Sequence, residues 1–242
     1  MKDILVIGDS CRDIFVYCDA VRLAPDFPVP VLNIVNQTEN PGMAANVQRN
    51  IMRYKNCDLL TNHNWLNITK TRYVHQNTNH MFMRVDSLST TSEINLDDLE
   101  LDYKLVVVSD YNKGFLSERD ITHICEQHPC VFLDTKKVLG GWASEAKYIK
   151  INDYEYKNSK PFLTKKLESK IIHTIGGDGC EFQGKRYPVN RSEVKDTSGA
   201  GDSFMAALCV KFLETQDIYE SIKFANCCAS EVVKHRGVTI IG

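Results

Sequence analysis

Five short, continuous apolar runs constrain the fold of this 242-residue chain more than any other feature. They lie in ILVIG (4–8), KLVVVS (104–109), CVFLD (130–134), KYIKI (147–151) and KIIHTIG (170–176). Continuous rather than alternating hydrophobicity is typical of strands that are buried on both faces of a parallel sheet. The runs therefore predict a sheet with other elements packed on each of its faces.

Segments with helical periodicity separate or follow these runs. Apolar residues recur three and four positions apart in residues 44–54, 116–127, 201–214 and 217–235. Strands that alternate with helices predict an α/β fold, with a doubly wound, mostly parallel sheet flanked by helices. The stretches at about 12–38 and 70–86 break this rhythm, because the first holds several prolines and the second alternates like half-exposed strands. We expect them to form a small β-sheet lid on a single domain spanning 1–242.

Charge and hydropathy argue against several classes of partner. Lys plus Arg is 29 and Asp plus Glu is 31, which gives a formal net charge of −2 and argues against nucleic-acid binding driven by bulk positive charge. No apolar run in the sequence approaches the roughly 18 residues that a membrane-spanning helix needs. The first residues resemble a buried strand more than a signal peptide. We therefore expect no nucleic-acid or membrane partner and a cytoplasmic location.

Polar residues follow the predicted strands where each strand ends. They are Asp9 and Asp13, Asp110 and Lys113, Asp134 and Lys136, Asn152 and Glu155, and Gly176. Ligands of parallel α/β sheets bind at the carboxyl ends of the strands. The sequence therefore predicts that these residues form one polar rim around a ligand.

The segment DTSGAGDSFMAAL (196–208) is the sharpest local signal in the chain. Small residues at 199–201 let the backbone approach a ligand, and the following apolar helix presents free N–H groups and a favourable dipole at its N-terminus. This pattern predicts an anion cradle. The alternative is that Asp202 is an ordinary capping residue, but capping alone does not require the sequence Gly-Ala-Gly.

DTSGAGD (196–202) resembles the D-T-x-G-A-G-D signature of the ribokinase-like (PfkB) carbohydrate kinases. Four other segments resemble further motifs of that family: PGMAANVQRN (41–50), the N-x-x-E motif NDYE (152–155), the glycine pair in TIGGDG (174–179), and FANCCASEVVKHRGVTI (224–240). The resemblance implies a ribokinase-like kinase domain that uses ATP and Mg²⁺, with a monovalent cation as a further option.

Other segments resemble the heptose-phosphate kinase domain of ADP-heptose synthesis, over nearly the whole chain. They are GDSCRDIFVY (8–17), APDFPVPVLNI (24–34), KTR (70–72), RVD (84–86), SDYNKG (109–114) and FLDTK (132–136). The chain departs from that pattern by its shortness. The family's G-x-D-x-x-G stretch has no counterpart between Asn46 and Lys70, and Met43 stands where a second glycine is usual.

The resemblance also implies a role for each candidate site residue. Asp202 is the general base for the acceptor hydroxyl, and the N–H groups of Gly199, Ala200 and Gly201 stabilise the transferring phosphoryl group. Asn152 and Glu155 organise Mg²⁺ indirectly, through water. The acceptor site comprises Asp13, Gly42, Asn46, Lys70, Arg72, Arg84 and Asp110. The nucleotide site comprises Lys113, Lys136, Asn152, Thr174, Gly176, Gly179 and Asn226.

The function favoured by the resemblance is ATP-dependent phosphorylation of a hydroxyl of a sugar or sugar phosphate. A heptose phosphate is the favoured acceptor, because basic residues on the lid strands can neutralise a phosphate group. The alternatives are a nucleoside or vitamin-precursor kinase of the same fold and a non-catalytic ligand-binding protein. We also expect a homodimer, since pairing two lids would bury apolar side chains that a lone small sheet leaves in water: Phe15, Tyr17, Val29, Val31 and Ile34.

Overall fold

The computed structural model describes residues 2–78, 80–87, 90–97, 99–189, 195–235 and 237. In chain order the elements are β1 (Lys2–Gly8), β2 (Ser10–Leu23), β3 (Pro30–Met43), α1 (Ala44–Ile51), β4 (Cys57–Thr61), β5 (Thr69–His75), β6 (Met81–Asp86), β7 (Tyr103–Asp110), α2 (Glu118–Gln127), β8 (Val131–Thr135), β9 (Tyr148–Asn152), α3 (Asp153–Ser159), α4 (Lys165–Glu168), β10 (Ile171–Thr174), β11 (Cys180–Phe182), β12 (Lys185–Tyr187), α5 (Ala200–Thr215) and α6 (Ile218–Val232).

The main sheet has eight strands in the order β12-β11-β10-β9-β8-β7-β1-β4. The strands from β4 to β10 in this order pair in parallel, and β11 and β12 add an antiparallel hairpin at one edge. Each apolar run in the sequence forms one of the parallel strands. The predicted fold class is therefore confirmed.

Two apolar layers cover the faces of the main sheet. Along β1, Ile4 and Val6 pack into the layer formed with α1, α5 and α6. Leu5 and Ile7, which alternate with them, pack into the layer formed with α2 and α4. Successive residues of a strand point to opposite faces, so a strand buried on both sides must be continuously apolar.

A separate small sheet has the strand order β3-β2-β5-β6. β2 pairs antiparallel with β3 and parallel with β5, and β5 pairs antiparallel with β6. Two short connections attach this small sheet to the main one. Only Asp9 separates β1 from β2, and β3 runs directly into α1. The Ala44 N–H donates to the Asp9 carbonyl at 2.9 Å and ties the two connections together.

The apolar residues of the small sheet are not all available to a second copy. Val29 and Ile34 are 52% and 64% exposed, but Phe15 is 1% exposed. The prediction that a dimer buries Phe15 is therefore wrong. Its ring already packs under the guanidinium of Arg72, whose Cζ lies 5.1 Å from the ring centroid. Among the described residues, no helix is long and apolar enough to cross a membrane.

Candidate active site

The first turn of α5 lies at the carboxyl edge of the main sheet. Gly199 precedes the helix with φ 78°, in the left-handed region that favours glycine. Asp202 follows in the first turn and is 5% exposed. Most of α5 is buried against the main sheet and its neighbouring helices, so the helix holds this carboxylate in a fixed position.

The Asp202 carboxylate bonds to two other parts of the chain. Its Oδ2 accepts from Asn46 Nδ2 of α1 at 2.8 Å, and its Oδ1 accepts from the Tyr111 hydroxyl at 2.5 Å. Within the described residues, its hydrogen bonds do not go to the N–H groups of its own helix. The arrangement differs from ordinary N-terminal capping.

Burial raises the pKa of Asp202, although the hydrogen bonds from Asn46 and Tyr111 act in the opposite direction. A carboxylate whose pKa is displaced toward neutrality is a better proton acceptor at physiological pH than an exposed aspartate. The site therefore contains a carboxylate suited to general-base catalysis.

A buried lysine lies against the Gly-Ala-Gly turn. Lys150, in β9, is 4% exposed, and its ammonium donates to Asp134 Oδ2 at 2.6 Å. A Cβ built on Gly201 would lie only 3.1 Å from Lys150 Nζ. Sequence reasoning missed Lys150, although a lysine in the middle of an apolar strand is a detectable signal. The Gly-Ala-Gly turn is thus next to a positive charge, and its Ala200 N–H donates to the Thr197 carbonyl at 3.2 Å.

The N-x-x-E segment forms the beginning of α3. Asn152 and Glu155 form a capping box, in which Glu155 Oε2 accepts from the Asn152 N–H at 2.8 Å. Glu155 Oε1 accepts from Lys136 Nζ at 2.5 Å. Burial lowers the pKa of Lys136, but the carboxylates of Asp134 and Glu155 outweigh it and raise the pKa overall. Asn152 and Glu155 therefore stabilise the start of α3, and their predicted roles in binding Mg²⁺ and the nucleotide would be additional to this structural role.

One carboxylate oxygen at this edge remains unsatisfied. Asp134 Oδ1 is buried and has no hydrogen-bond partner among the described residues, and the Lys136 ammonium is 3.9 Å away. An orphaned carboxylate oxygen beside two lysines is suited to a cation, a water or a hydroxyl donor.

The residues predicted for the acceptor side fall mostly into one group. Arg72 NH1 donates to Asp13 Oδ1 at 2.5 Å. A Cβ on Gly42 would lie 2.6 Å from Asp13 Oδ2, so the glycine leaves the carboxylate room. Lys70 Nζ lies 4.9 Å from the centroid of the Tyr111 ring. Asn46 donates to Asp202 directly, and Lys70 lies over the ring of Tyr111, which also donates to Asp202.

Other predicted residues make different contacts. Arg84 pairs with Asp86 on its own strand. Asp110 is 1% exposed and accepts from Lys137 Nζ at 2.8 Å on both oxygens. Lys113 is exposed in the loop after β7. The described contacts of these three residues do not join them to Asp202.

The residues predicted to face the nucleotide base lie around β10 and α6. The Thr174 hydroxyl donates to the Ile151 carbonyl at 3.3 Å. Gly176 and Gly179 form the turn after β10, both with positive φ. The Asn226 amide donates to the Tyr187 carbonyl at 2.8 Å. Asn226 therefore ties α6 to β12.

Besides Lys150, two residues of the site were not assigned a role by sequence reasoning. Tyr111 directly follows β7, and its place at the end of a buried strand was the available signal. Met43 has φ 61°, a strained backbone for a side chain other than glycine. The resemblance expects a glycine at this position, and the structure keeps the corresponding backbone conformation.

Sequence comparison finds related proteins over nearly the whole chain. The chain is 29% identical to the bifunctional protein HldE of Helicobacter pylori (strain G27) over 299 aligned positions, covering 98% of this chain. It spans 64% of the length of that relative. Because the alignment is longer than the 242 residues of the chain, the relative has segments that this chain lacks.

Solved structures give the same fold. Ribokinase from Thermotoga maritima superposes with a TM-score of 0.73 at 17% identity, covering 98% of this chain and 95% of that one. A nucleoside kinase from Methanocaldococcus jannaschii superposes with a TM-score of 0.71 at 14% identity, covering 98% and 93%. The family model of the pfkB carbohydrate kinases matches residues 119–241, half of the chain. The predicted family is therefore confirmed: the chain belongs to the pfkB family of carbohydrate kinases.

Proposed function

We propose that this chain transfers the γ-phosphoryl group of ATP to a hydroxyl of a sugar phosphate, with a heptose phosphate as the favoured acceptor. The observation that carries this proposal is the buried Asp202 carboxylate at the first turn of α5, adjacent to the Gly-Ala-Gly turn and the Lys150 ammonium. Phosphoryl transfer requires positioning and charge stabilisation more than covalent help from the protein. Asp202 can position the acceptor hydroxyl, and the turn and Lys150 can stabilise charge next to it.

Asp202 acts as the general base. It accepts the proton of the acceptor hydroxyl while the oxygen forms its bond to phosphorus and the bond to the ADP oxygen breaks. Asn46 and Tyr111 fix the orientation of the carboxylate through its two oxygens. Burial raises its pKa, so proton transfer to it is easier than to an exposed aspartate.

The residues around α5 fit a nucleotide with Mg²⁺. The backbone N–H groups of Gly199, Ala200 and Gly201 and the ammonium of Lys150 stabilise negative charge that develops on the phosphoryl group. Asn152 and Glu155 would hold Mg²⁺ through water, and the orphaned oxygen of Asp134 adds a further oxygen donor. When bound, Mg²⁺ would neutralise phosphate charge. A monovalent cation is proposed only as an activator to be tested in the same assay.

The acceptor side favours an anionic sugar. Among the described residues, the Lys70 ammonium has no carboxylate partner within 4 Å, and it lies over the Tyr111 ring next to Asp202. Arg72 also faces this region but already pairs with Asp13. An unpaired ammonium beside the candidate base is suited to a phosphate group on the acceptor. The identity to an HldE protein supports a heptose phosphate over other sugar phosphates.

We further propose that residues 1–242 act as one kinase domain and that two copies pair through their small sheets. Val29, Ile34 and Val35 are 52–64% exposed on β3 and the turn before it, and apolar side chains of this kind gain stability when a second sheet covers them. ATP dependence favours a cytoplasmic location. Sedimentation of the wild type should give a dimer and that of Ile34→Glu a monomer. A monomeric wild type would contradict the pairing.

The first test of function is ADP release from Mg·ATP across sugars, sugar phosphates, nucleosides and vitamin precursors, with and without K⁺. The proposal expects turnover with a heptose or hexose phosphate. Turnover with a nucleoside or a vitamin precursor alone would instead identify the alternative kinase. Binding of ATP without turnover on any acceptor would identify a non-catalytic ligand-binding protein.

A further inference from the structure

We propose that Tyr111 is a positioning residue that aligns the carboxylate of Asp202 and the ammonium groups of Lys70 and Lys136 for the reaction. This role rests on the proposed kinase function. Tyr111 contacts one lysine of the predicted acceptor site and one of the predicted nucleotide site. Its hydroxyl and its ring make separate contacts, so the two contributions can be measured separately.

The hydroxyl fixes the candidate base. It donates to Asp202 Oδ1 at 2.5 Å, while Asn46 donates to Oδ2 at 2.8 Å. Two donors from different elements hold the plane of the carboxylate more firmly than either does alone. Burial raises the pKa of the Tyr111 phenol well above its usual value, so the hydroxyl is a hydrogen-bond donor at neutral pH.

Two lysine ammonium groups from different elements of the chain lie over the ring. Lys70 Nζ of β5 lies 4.9 Å from the ring centroid, and Lys136 Nζ of the segment after β8 lies 5.3 Å from it. Lys136 also pairs with Glu155. An aromatic ring attracts ammonium groups through its electron-rich face. The ring thus brings a cation from the predicted acceptor side and one from the predicted nucleotide side to the same side chain.

The backbone of Tyr111 is itself anchored. Asp9, which is fully buried, accepts from the Tyr111 N–H at 2.7 Å through Oδ2 and from the Phe115 N–H at 3.3 Å through Oδ1. The ring packs against the apolar cluster of Cys11, Met43 and Ile68. Because its backbone and its ring are both held in place, Tyr111 can fix the orientation of the side chains that it contacts.

Two variants separate the contributions. Tyr111→Phe keeps the ring and removes the hydroxyl, so we expect kcat to fall about tenfold at pH 6 with both KM values little changed. Tyr111→Leu removes both, so we expect in addition a rise of about tenfold in KM for the phosphorylated acceptor and for ATP. A residue that only filled space would lower stability in both variants without this split between kcat and KM.

The matched control is the tyrosine at the other end of β7 from Tyr111. Tyr103, at the other end of β7, donates its hydroxyl to Asp58 Oδ2 at 2.7 Å and has Lys2 Nζ 5.4 Å from its ring centroid. Tyr103→Phe removes the same kind of hydrogen bond away from α5. It should leave kcat and its pH profile unchanged.

The pH profile tests the hydroxyl directly. Besides Tyr111 and Asn46, Asp202 senses Asp134 and Lys136 from the β8 end and Lys150 from β9. The thiol of Cys11 also lies nearby, and burial raises its pKa to about 12, so it stays neutral. All of these groups remain in Tyr111→Phe. The lost hydrogen bond stabilised the ionised carboxylate, so the acidic limb of the kcat profile should move to higher pH.

A ligand-free measurement keeps this test independent of the proposed function. The Asp202 carboxyl can be titrated by ¹³C NMR of aspartate-labelled protein, with its signal assigned by Asp202→Asn. A higher pKa in Tyr111→Phe than in the wild type and in Tyr103→Phe supports the role, even if no acceptor is turned over. Equal values in all three proteins, with equal pH profiles where turnover is found, would overturn it.

Discussion

The two ends of β7 carry the same three chemical groups in different surroundings. At the amino end, the Tyr103 hydroxyl donates to Asp58, and Lys2 lies over the tyrosine ring. After the carboxyl end, the Tyr111 hydroxyl donates to Asp202, and lysines again lie over the ring. We call these groups the Tyr103 cluster and the Tyr111 cluster.

The two aspartates respond in opposite directions. The hydrogen bond from Lys2 lowers the pKa of Asp58, whose side chain is 49% exposed. Burial raises the pKa of Asp202, which is 5% exposed. Removal from water penalises the charged form of a carboxyl group, and this effect outweighs the donors around Asp202. The comparison indicates that burial, rather than the set of neighbouring side chains, raises the pKa of Asp202.

The largest expected difference between the clusters is in catalysis. Asp202→Asn should lower kcat by about 10²–10⁴-fold, because the acceptor hydroxyl loses its proton acceptor. Asp58→Asn makes the same chemical change in the Tyr103 cluster and should retain full turnover. The measurement is ADP release with the best acceptor from the panel, alongside circular dichroism to show that both variants fold. Substantial activity in Asp202→Asn would remove the general base from the proposed mechanism.

A smaller difference is expected for the lysines. Lys70→Met should raise KM for a phosphorylated acceptor about tenfold, because a charge-assisted contact to phosphate is lost. It should change KM for the unphosphorylated sugar much less. Lys2→Met, in the Tyr103 cluster, is the control and should change neither value. Equal KM changes for both acceptors would place the phosphate of the acceptor away from Lys70.

The smallest expected effect is on stability, and it has opposite signs in the two clusters. The raised pKa of Asp202 means that its contribution to stability is largest below its ordinary value of 3.8 and is lost as the pH rises. Asp202→Asn should therefore gain Tm relative to the wild type between pH 4 and pH 8.

Asp58 should behave in the reverse way. Its lowered pKa means that its contribution to stability is present above the ordinary value of 3.8 and is lost as the pH falls. Asp58→Asn should lose Tm relative to the wild type at pH 7 and match it at low pH, with a small amplitude because the group is exposed. Thermal melts from pH 3 to pH 8 measure both differences, and slopes of the same sign would contradict the contrast between the clusters.

The fold and the centre of the site were predictable because they depend on local sequence. Continuous apolar runs fixed the parallel strands, and Gly199 and Gly201 marked a backbone turn that only small residues allow. The contacts of Tyr111 with Asp202 and of Lys150 with the Gly201 turn were not predictable, since each joins residues that are far apart in the sequence. Arg84 pairs with Asp86, two residues away on the same strand, so its predicted contact with the acceptor stays a prediction.

The same distinction applies to the small sheet. The sequence predicted that residues 12–38 belong to a small sheet and that some of their apolar side chains are exposed, but not which face other strands of the chain would cover. Phe15 is covered by Arg72, which lies opposite it on the neighbouring strand β5. That arginine comes more than fifty residues later in the chain. Side chains contributed by different strands to one face can be paired only after the strand order is known.

The attachment of the small sheet has a mechanical consequence. Asp9 alone joins β1 to β2, β3 continues into α1 without a loop, and these two junctions are bonded to each other. Asp9 also holds the backbone of Tyr111, and α1 carries Asn46. A tilt of the small sheet about these two junctions would therefore shift both hydrogen-bond donors to Asp202 together.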